Sequence, residues 1–227
     1  EDAAQAVNSK YNGKYAGNLC ELGIYSFHAT KSYSSGEGGA LTMNNDKYFD
    51  RAEFLWEKGT DRSLVVQGLK NKYSWVDYGS SFLPADILSA LLYAQFQNLD
   101  KMQTIRKKLH DAYISTFEPY KNSGLKMLFV PKNIETNYHA FWLLFNDEQK
   151  KDKFLRLSLE NNISSYIGYI PLHSSPMGKK LGGDKFYLPI TDHVGSSIVR
   201  LPFYLMTDEE IVYTCITLSN ILKKVLI

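Results

Sequence analysis

Cysteine is scarce in this 227-residue chain: Cys20 and Cys215 stand far apart and share no metal-ligand spacing. That argues against a disulfide scaffold and for reduced thiols in a cytoplasmic protein. Charge of either sign is not in excess. A net charge of +2 gives no support to a nucleic-acid partner or an acidic membrane. No apolar run approaches the ~20 residues of a membrane span, and no signal peptide opens the chain. The five histidines show no metal spacing. Internal repeats and low-complexity tracts are absent. What is present, 44% hydrophobic and 22% charged residues, suits a soluble protein of one large or two small domains.

The informative stretch is Glu1–Leu41. Lys31 follows a short apolar strand over Ile24–Phe27, among the hydroxyls of Ser26, Thr30, Ser32, Ser34 and Ser35. The run Gly36-Glu37-Gly38-Gly39-Ala40 comes next, and Ala40–Met43 reads as a second strand. A lysine amine that is partly neutral can condense with a carbonyl. Pyridoxal phosphate (PLP) supplies such a carbonyl, and it needs a carboxylate at its pyridine nitrogen and donors for its phosphate. Asp2 suits the ring nitrogen, Gln5 the ring hydroxyl and Ser26 the phosphate. The same residue types also suit a lysine in a serine-rich surface loop and an aspartate capping a helix.

Further along, Ala3–Val7 is expected to begin a short helix, with turns at Asn12-Gly13 and Gly17-Asn18. A helix capped by Asn45 or Asp46 runs to about Lys58 and ends at Gly59. Residues 60–81 have no clear period, and a long irregular stretch in a compact fold is usually functional or an interface. Pro84 opens a helix of about thirty residues, with one stripe from Leu88 through Gln95 and Leu109 to Phe117. Strands are expected at Leu125–Val130, Ala140–Phe145 and Ser164–Pro171, and an amphipathic helix at Asp147–Asn161. Thr207 and Glu210 form a capping box ahead of a final helix that buries Ile211, Cys215, Leu218, Leu222 and Val225. This C-terminal alternation predicts a small α+β domain.

EDAAQA, SFHATK and GEGGAL, at these spacings, resemble the DegT/DnrJ/EryC1/StrS family of sugar-nucleotide aminotransferases. The likeness runs to the C-terminus. It implies an α/β chain of the PLP-dependent transferase fold (fold type I). Residues 1–85 would be the C-terminal part of the PLP-binding large domain, whose N-terminal part is absent. Residues 86–227 would be the bridging helix and small domain. The resemblance makes Lys31 the catalytic, PLP-carrying lysine, with Asp2, Gln5 and Ser26 as cofactor ligands. It also makes residues 60–81 a loop that crosses a homodimer to the partner's cofactor. Family members usually have Asn where this chain has Ser81, whose hydroxyl can still donate to phosphate; Ser80 is an equal candidate.

EKGTDRS, KYSWVDYGSSFL and YIPLHSSPMG resemble one branch more closely. It converts dTDP-4-dehydro-6-deoxyglucose to dTDP-4-amino-4,6-dideoxygalactose, with glutamate as amino donor, in cell-surface polysaccharide synthesis. The partners so implied are a nucleotide sugar, glutamate and a second copy of the chain. His28, His139 and His173 are candidate substrate contacts, each weighed against a purely structural histidine. His110 reads as solvated on the long helix. Arg200 reads as support for a turn, and His193 has no evident partner. Three alternatives stay open: a PLP dehydratase of the same fold, in which histidine replaces the lysine; a non-catalytic dimerisation module; and an aminotransferase for another nucleotide sugar.

Overall fold

Asn12 and Gly13 make a tight turn in a computed structural model that describes residues 1–226. Both have positive φ (49° and 78°), as a two-residue hairpin loop requires if it is to follow the strands' twist. The loop joins β1 (Lys10–Tyr11) to β2 (Lys14–Tyr15). β3 (Leu22–Ser26) and β4 (Gly39–Met43) pair antiparallel, from Leu22 opposite Met43 to Ser26 opposite Gly39. The Asn45 side chain accepts from the Lys47 N–H and caps a 3-10 turn that leads into α1 (Phe49–Trp56). Residues 60–81 hold only one short helix, α2 (Arg62–Val66). Then come α3 (Asp86–Phe96), α4 (Leu99–Phe117), β5 (Leu125–Met127) and β6 (Ile134–Glu135). β6 pairs with β1, so this small sheet has the order β2-β1-β6. The chain divides into two compact units: residues 1–99 with 131–137, and residues 100–130 with those from 138 onward.

The second unit carries β7 (Trp142–Phe145), α5 (Glu148–Glu160), β8 (Tyr166–Ile167), α6 (Pro176–Lys180), α7 (Pro189–Ser197), β9 (Ile198–Arg200) and α8 (Asp208–Leu226). Its antiparallel sheet has the order β5-β7-β9-β8. Leu143 and Phe145 of β7, Val199 of β9, Phe154 of α5 and Leu218 and Leu222 of α8 are fully buried. Burying each such side chain contributes roughly 1.5–3 kcal/mol. The capping box forms as the sequence suggests. The Thr207 N–H donates to the Glu210 carboxylate at 2.7 Å, and the Glu210 N–H donates to Thr207 Oγ1 at 3.3 Å. Cys215 lies in the core, where burial pushes its thiol pKa up. No helix among the described residues is long and apolar enough to cross a membrane.

Several expectations change. Ala3–Val7 forms turns instead of a helix, because the chain there pairs with β3. The Ile24 N–H donates to the Glu1 carbonyl, the Ala3 N–H donates to the Ile24 carbonyl, and Asn8 then turns left-handed at φ 64°. The long helix is two helices. The Asn98 side chain donates to the Ala94 carbonyl at 2.9 Å, taking up an acceptor that a further helical turn would use. Arg200 is in β9, opposite both Trp142 and Tyr166, and not at a turn. His110 is buried: its ring lies 5.1 Å from Tyr138 and 5.5 Å from Phe141, and Nδ1 faces Asp111 at 3.2 Å.

Candidate active site

The first unit gathers most of the candidate residues around β3. Asp2 forms a parallel bridge with Ile24, so Asp2, Ile24 and Ser26 point to one face of the paired strands. One Asp2 carboxylate oxygen accepts from the Ala4 N–H at 3.0 Å, and the side chain is otherwise open. Ser26 ends β3, and its Oγ accepts from the His28 N–H only at the long distance of 3.4 Å. The chain then leaves the strand on an eleven-residue excursion (28–38), closed at its base by paired backbone groups. The Phe27 N–H donates to the Gly38 carbonyl at 2.8 Å, and the Ala29 N–H to the Gly36 carbonyl at 2.7 Å.

Lys31 sits in this loop, half-buried, with its N–H donating to the His28 carbonyl at 2.9 Å. Among the described residues no ion pair or hydrogen bond holds its ammonium, so the amine is available to a ligand. The buried Ser32, Tyr33 and Ser35 root the loop on the far side of the lysine. A Cβ on Gly38 would fall 2.5 Å from Ser35 Oγ, so the glycine lets the two sides of the loop close. These residues fit PLP: a free amine in a hydroxyl-rich turn, with a carboxylate and an under-used hydroxyl on the strand face leading to it.

Gln5 is exposed, on a segment ordered through its backbone. Asn137, buried, donates its side-chain N–H groups to the Gln5 and Val7 carbonyls at 2.8 and 2.9 Å. His28 is partly exposed, with Nδ1 2.9 Å from Thr30 Oγ1 and Nε2 3.5 Å from Glu37. Ser81 and Ser80 are exposed where the irregular stretch returns to α1. Ser81 bridges Glu57, and the Ser80 carbonyl accepts from the Lys58 N–H. Asp61 anchors this stretch. Its buried carboxylate takes the Ser74 N–H at 2.6 Å and the Lys70 ammonium, and these partners hold its pKa below the usual carboxylate range.

His139 and His173 belong to the second unit. His139 is half-buried just ahead of β7. His173 lies in a 3-10 turn, its ring largely buried and Nε2 3.0 Å from Asp192 of α7. Sequence reasoning missed Asn137 and gave Gln95 only a packing role; Gln95 bonds the lysine loop. A polar residue on the Leu88–Leu99 stripe was the available signal.

The chain as a whole has known relatives. The family model for DegT/DnrJ/EryC1/StrS aminotransferases matches residues 1–218. The chain belongs to this family. It is 26% identical over 226 residues to a GDP-perosamine synthase of Escherichia coli O157:H7, covering 97% of this chain and 57% of the relative. It is 28% identical over 229 residues to a UDP-4-amino-4,6-dideoxy-N-acetyl-beta-L-altrosamine transaminase of Campylobacter jejuni, covering 99% and 58%. The chain thus spans under two thirds of the length of these curated relatives. Among solved structures, a Streptococcus pneumoniae protein in its pyridoxamine phosphate (PMP) form superposes with a TM-score of 0.87 at 24% identity, over 99% of this chain and 59% of that one. Its PLP form gives 0.84. The fold is that of the PLP-dependent sugar aminotransferases, fold type I, and the family's cofactor is PLP.

Proposed function

We propose that this chain carries the catalytic lysine of a PLP-dependent aminotransferase acting on a 4-keto-6-deoxy nucleotide sugar, with glutamate as amino donor, in cell-surface polysaccharide synthesis. Residues 1–85 are part of the PLP-binding large domain and residues 86–227 the bridging helix and small domain, in a cytoplasmic homodimer. The observation that carries the reading is the Asp2–Ile24 bridge. It puts a carboxylate and the Ser26 hydroxyl on one strand face that leads directly into the loop of an unpaired lysine.

PLP, when bound, supplies a carbonyl and an electron sink. Lys31 Nζ holds the cofactor at rest and, when free, takes up and returns a proton as general base and acid. The Asp2 carboxylate keeps the ring nitrogen protonated, a fixed charge opposite one that develops during the reaction. Gln5 donates to the ring hydroxyl and Ser26 to the phosphate. Ser81 or Ser80 donates to the phosphate of a partner copy. The exposed Trp75, Tyr78 and Phe82 beside them suit a buried interface between copies. His28, His139 and His173 contact the nucleotide sugar.

The finer substrate is dTDP-4-dehydro-6-deoxyglucose, giving dTDP-4-amino-4,6-dideoxygalactose. Its support is EKGTDRS, KYSWVDYGSSFL and YIPLHSSPMG. A second reading keeps the chemistry at the sugar and changes the nucleotide to GDP or UDP, favoured by the names of the perosamine and altrosamine relatives. Product analysis with the three nucleotide sugars separates these. The first test is a visible spectrum of the purified chain with PLP, then borohydride reduction and peptide mapping. A reduced adduct on Lys31 alone is the expected result. Adducts scattered over many lysines, or none, would overturn the cofactor assignment for this chain and favour a non-catalytic module.

A further inference from the structure

Gln95 occupies the stripe of α3 that Leu88 and Leu92 otherwise make apolar. A side-chain amide in such a position needs partners, and its partners lie on the lysine loop. Gln95 Oε1 accepts from the Ser34 N–H at 3.0 Å, and Nε2 donates to the Ser34 carbonyl at 2.7 Å. The second Nε2 hydrogen goes to the Leu91 carbonyl at 3.1 Å, which fixes the side chain on its own helix. The amide thus pairs with the Ser34 peptide groups as a neighbouring strand would. Among the described residues the Ser34 backbone has no other hydrogen-bond partner.

Ser34 is three residues beyond Lys31, and it also ties the loop to its base. Its hydroxyl donates to the Phe27 carbonyl at 3.2 Å and accepts from the Gly36 N–H at 2.9 Å. The residue after Gln95 completes the contact: the Phe96 ring lies 5.7 Å from both Phe27 and Tyr33. The turn His28–Tyr33 is therefore held at Phe27 on one side and at Ser34 on the other. Between these anchors, Lys31 has a single backbone bond of its own.

We propose that Gln95 is a positioning residue for Lys31: by clamping Ser34 to α3 it restricts the loop so that the amine is presented in one place. The proposal rests on Lys31 being the cofactor lysine. The hydrogen bonds of Gln95 go to the backbone of Ser34 and Leu91, so it acts on the lysine through the backbone. Restricting where a nucleophile can be is a direct route to higher reactivity.

The test uses the full chain with two substitutions. Gln95→Met keeps the shape and removes the amide; Gln95→Glu keeps the acceptor for the Ser34 N–H and removes the donor to its carbonyl. Amide exchange over residues 27–38 reads the clamp itself. PLP labelling with borohydride trapping, mapped by peptide, reads Lys31 against the exposed Lys47 in the same sample. In Gln95→Met, exchange of the Ser34 and Gly36 amides and loss of Lys31 labelling should each reach about tenfold, the size expected for losing hydrogen bonds to half-buried groups. Labelling of Lys47 should not change, and Gln95→Glu should fall between.

A purely structural role would move both lysines together, which overturns the proposal. So would faster exchange with wild-type labelling of Lys31, which leaves the cofactor reading intact. Wild-type protein that takes no label at Lys31 would sink both. If Gln95→Met does not fold, as judged by near-ultraviolet circular dichroism, Gln95→Glu decides by the same criteria.

Discussion

The two units keep their order by different means. Among the described residues, the second unit closes on nineteen buried hydrophobic side chains, while the first has only Ala3, Phe27 and Tyr33. In the first unit Ile24 and Leu41 of the β3–β4 pair are about half exposed, at 48% and 49%, and Trp75 is 77% exposed. Its loops are held instead by polar side chains that bond backbone: Asp61 on Ser74, Gln95 on Ser34 and Asn137 on Gln5 and Val7. An apolar core resists deformation everywhere at once. Polar clamps fix individual loops and leave the surfaces between them free for ligands and other chains. The second unit reads as a scaffold and the first as the place where chemistry is arranged.

The largest effect should come from Lys31→Ala. It should abolish both cofactor attachment and turnover, and leave the melting of the second unit's core unchanged by calorimetry. Retained catalysis would break the assignment of chemistry to the first unit. The converse substitution is Leu218→Ala in the fully buried face of α8. It should cost roughly 2–5 kcal/mol in urea unfolding, with trapping at Lys31 little changed under native conditions. Loss of Lys31 labelling there would show that the two units do not separate in function.

Acid sharpens the comparison further. The Asp61 pKa is lowered on folding by the Lys70 ammonium and the Ser74 N–H. Its contribution is therefore complete above the ordinary aspartate pKa and is lost as pH falls through the lowered folded value. Trp75 fluorescence should report opening of residues 61–74 on acidification, and Asp61→Asn should show weakened anchoring already at neutral pH. A titration identical in the two proteins would exclude the clamp. The smallest effect is Thr207→Ala, which removes one side of the capping box on α8 and should cost about 1 kcal/mol. Measured by urea unfolding, it should leave the first unit untouched.

Local signals were read best where the local rule and the tertiary environment agree. The capping box at Thr207 and Glu210, the buried stripe of α8, the Asn45 cap and the β3–β4 pair around the glycine run all follow from short-range chemistry. The division of the long helix did not show in the sequence, because the leucine spacing continues through Gln97 and Asn98 with no glycine or proline between. His110 was misread for a related reason. Helix periodicity puts it beside a charged face, but Tyr138 and Phe141 come to cover it from about thirty residues away. β9 was missed because a three-residue strand carries too little pattern to stand out from its neighbours.

The candidate site divides in the same way. Lys31, Asp2, Gln5 and Ser26 could be named from residue types, spacing and family likeness, since the chemistry of a PLP site demands those groups. The sequence by itself determined the family and the second unit's helical stripes, and made Lys31 the candidate cofactor lysine, because these depend on motifs and on periods of a few residues. Only the tertiary structure decided that Asp2 faces the same way as Ser26, that Gln95 grips the lysine loop from 61 residues away and that Asn137 orders the segment of Gln5. Each of these is a hydrogen bond between distant parts of the chain, and such bonds are set by packing and leave no local period to read.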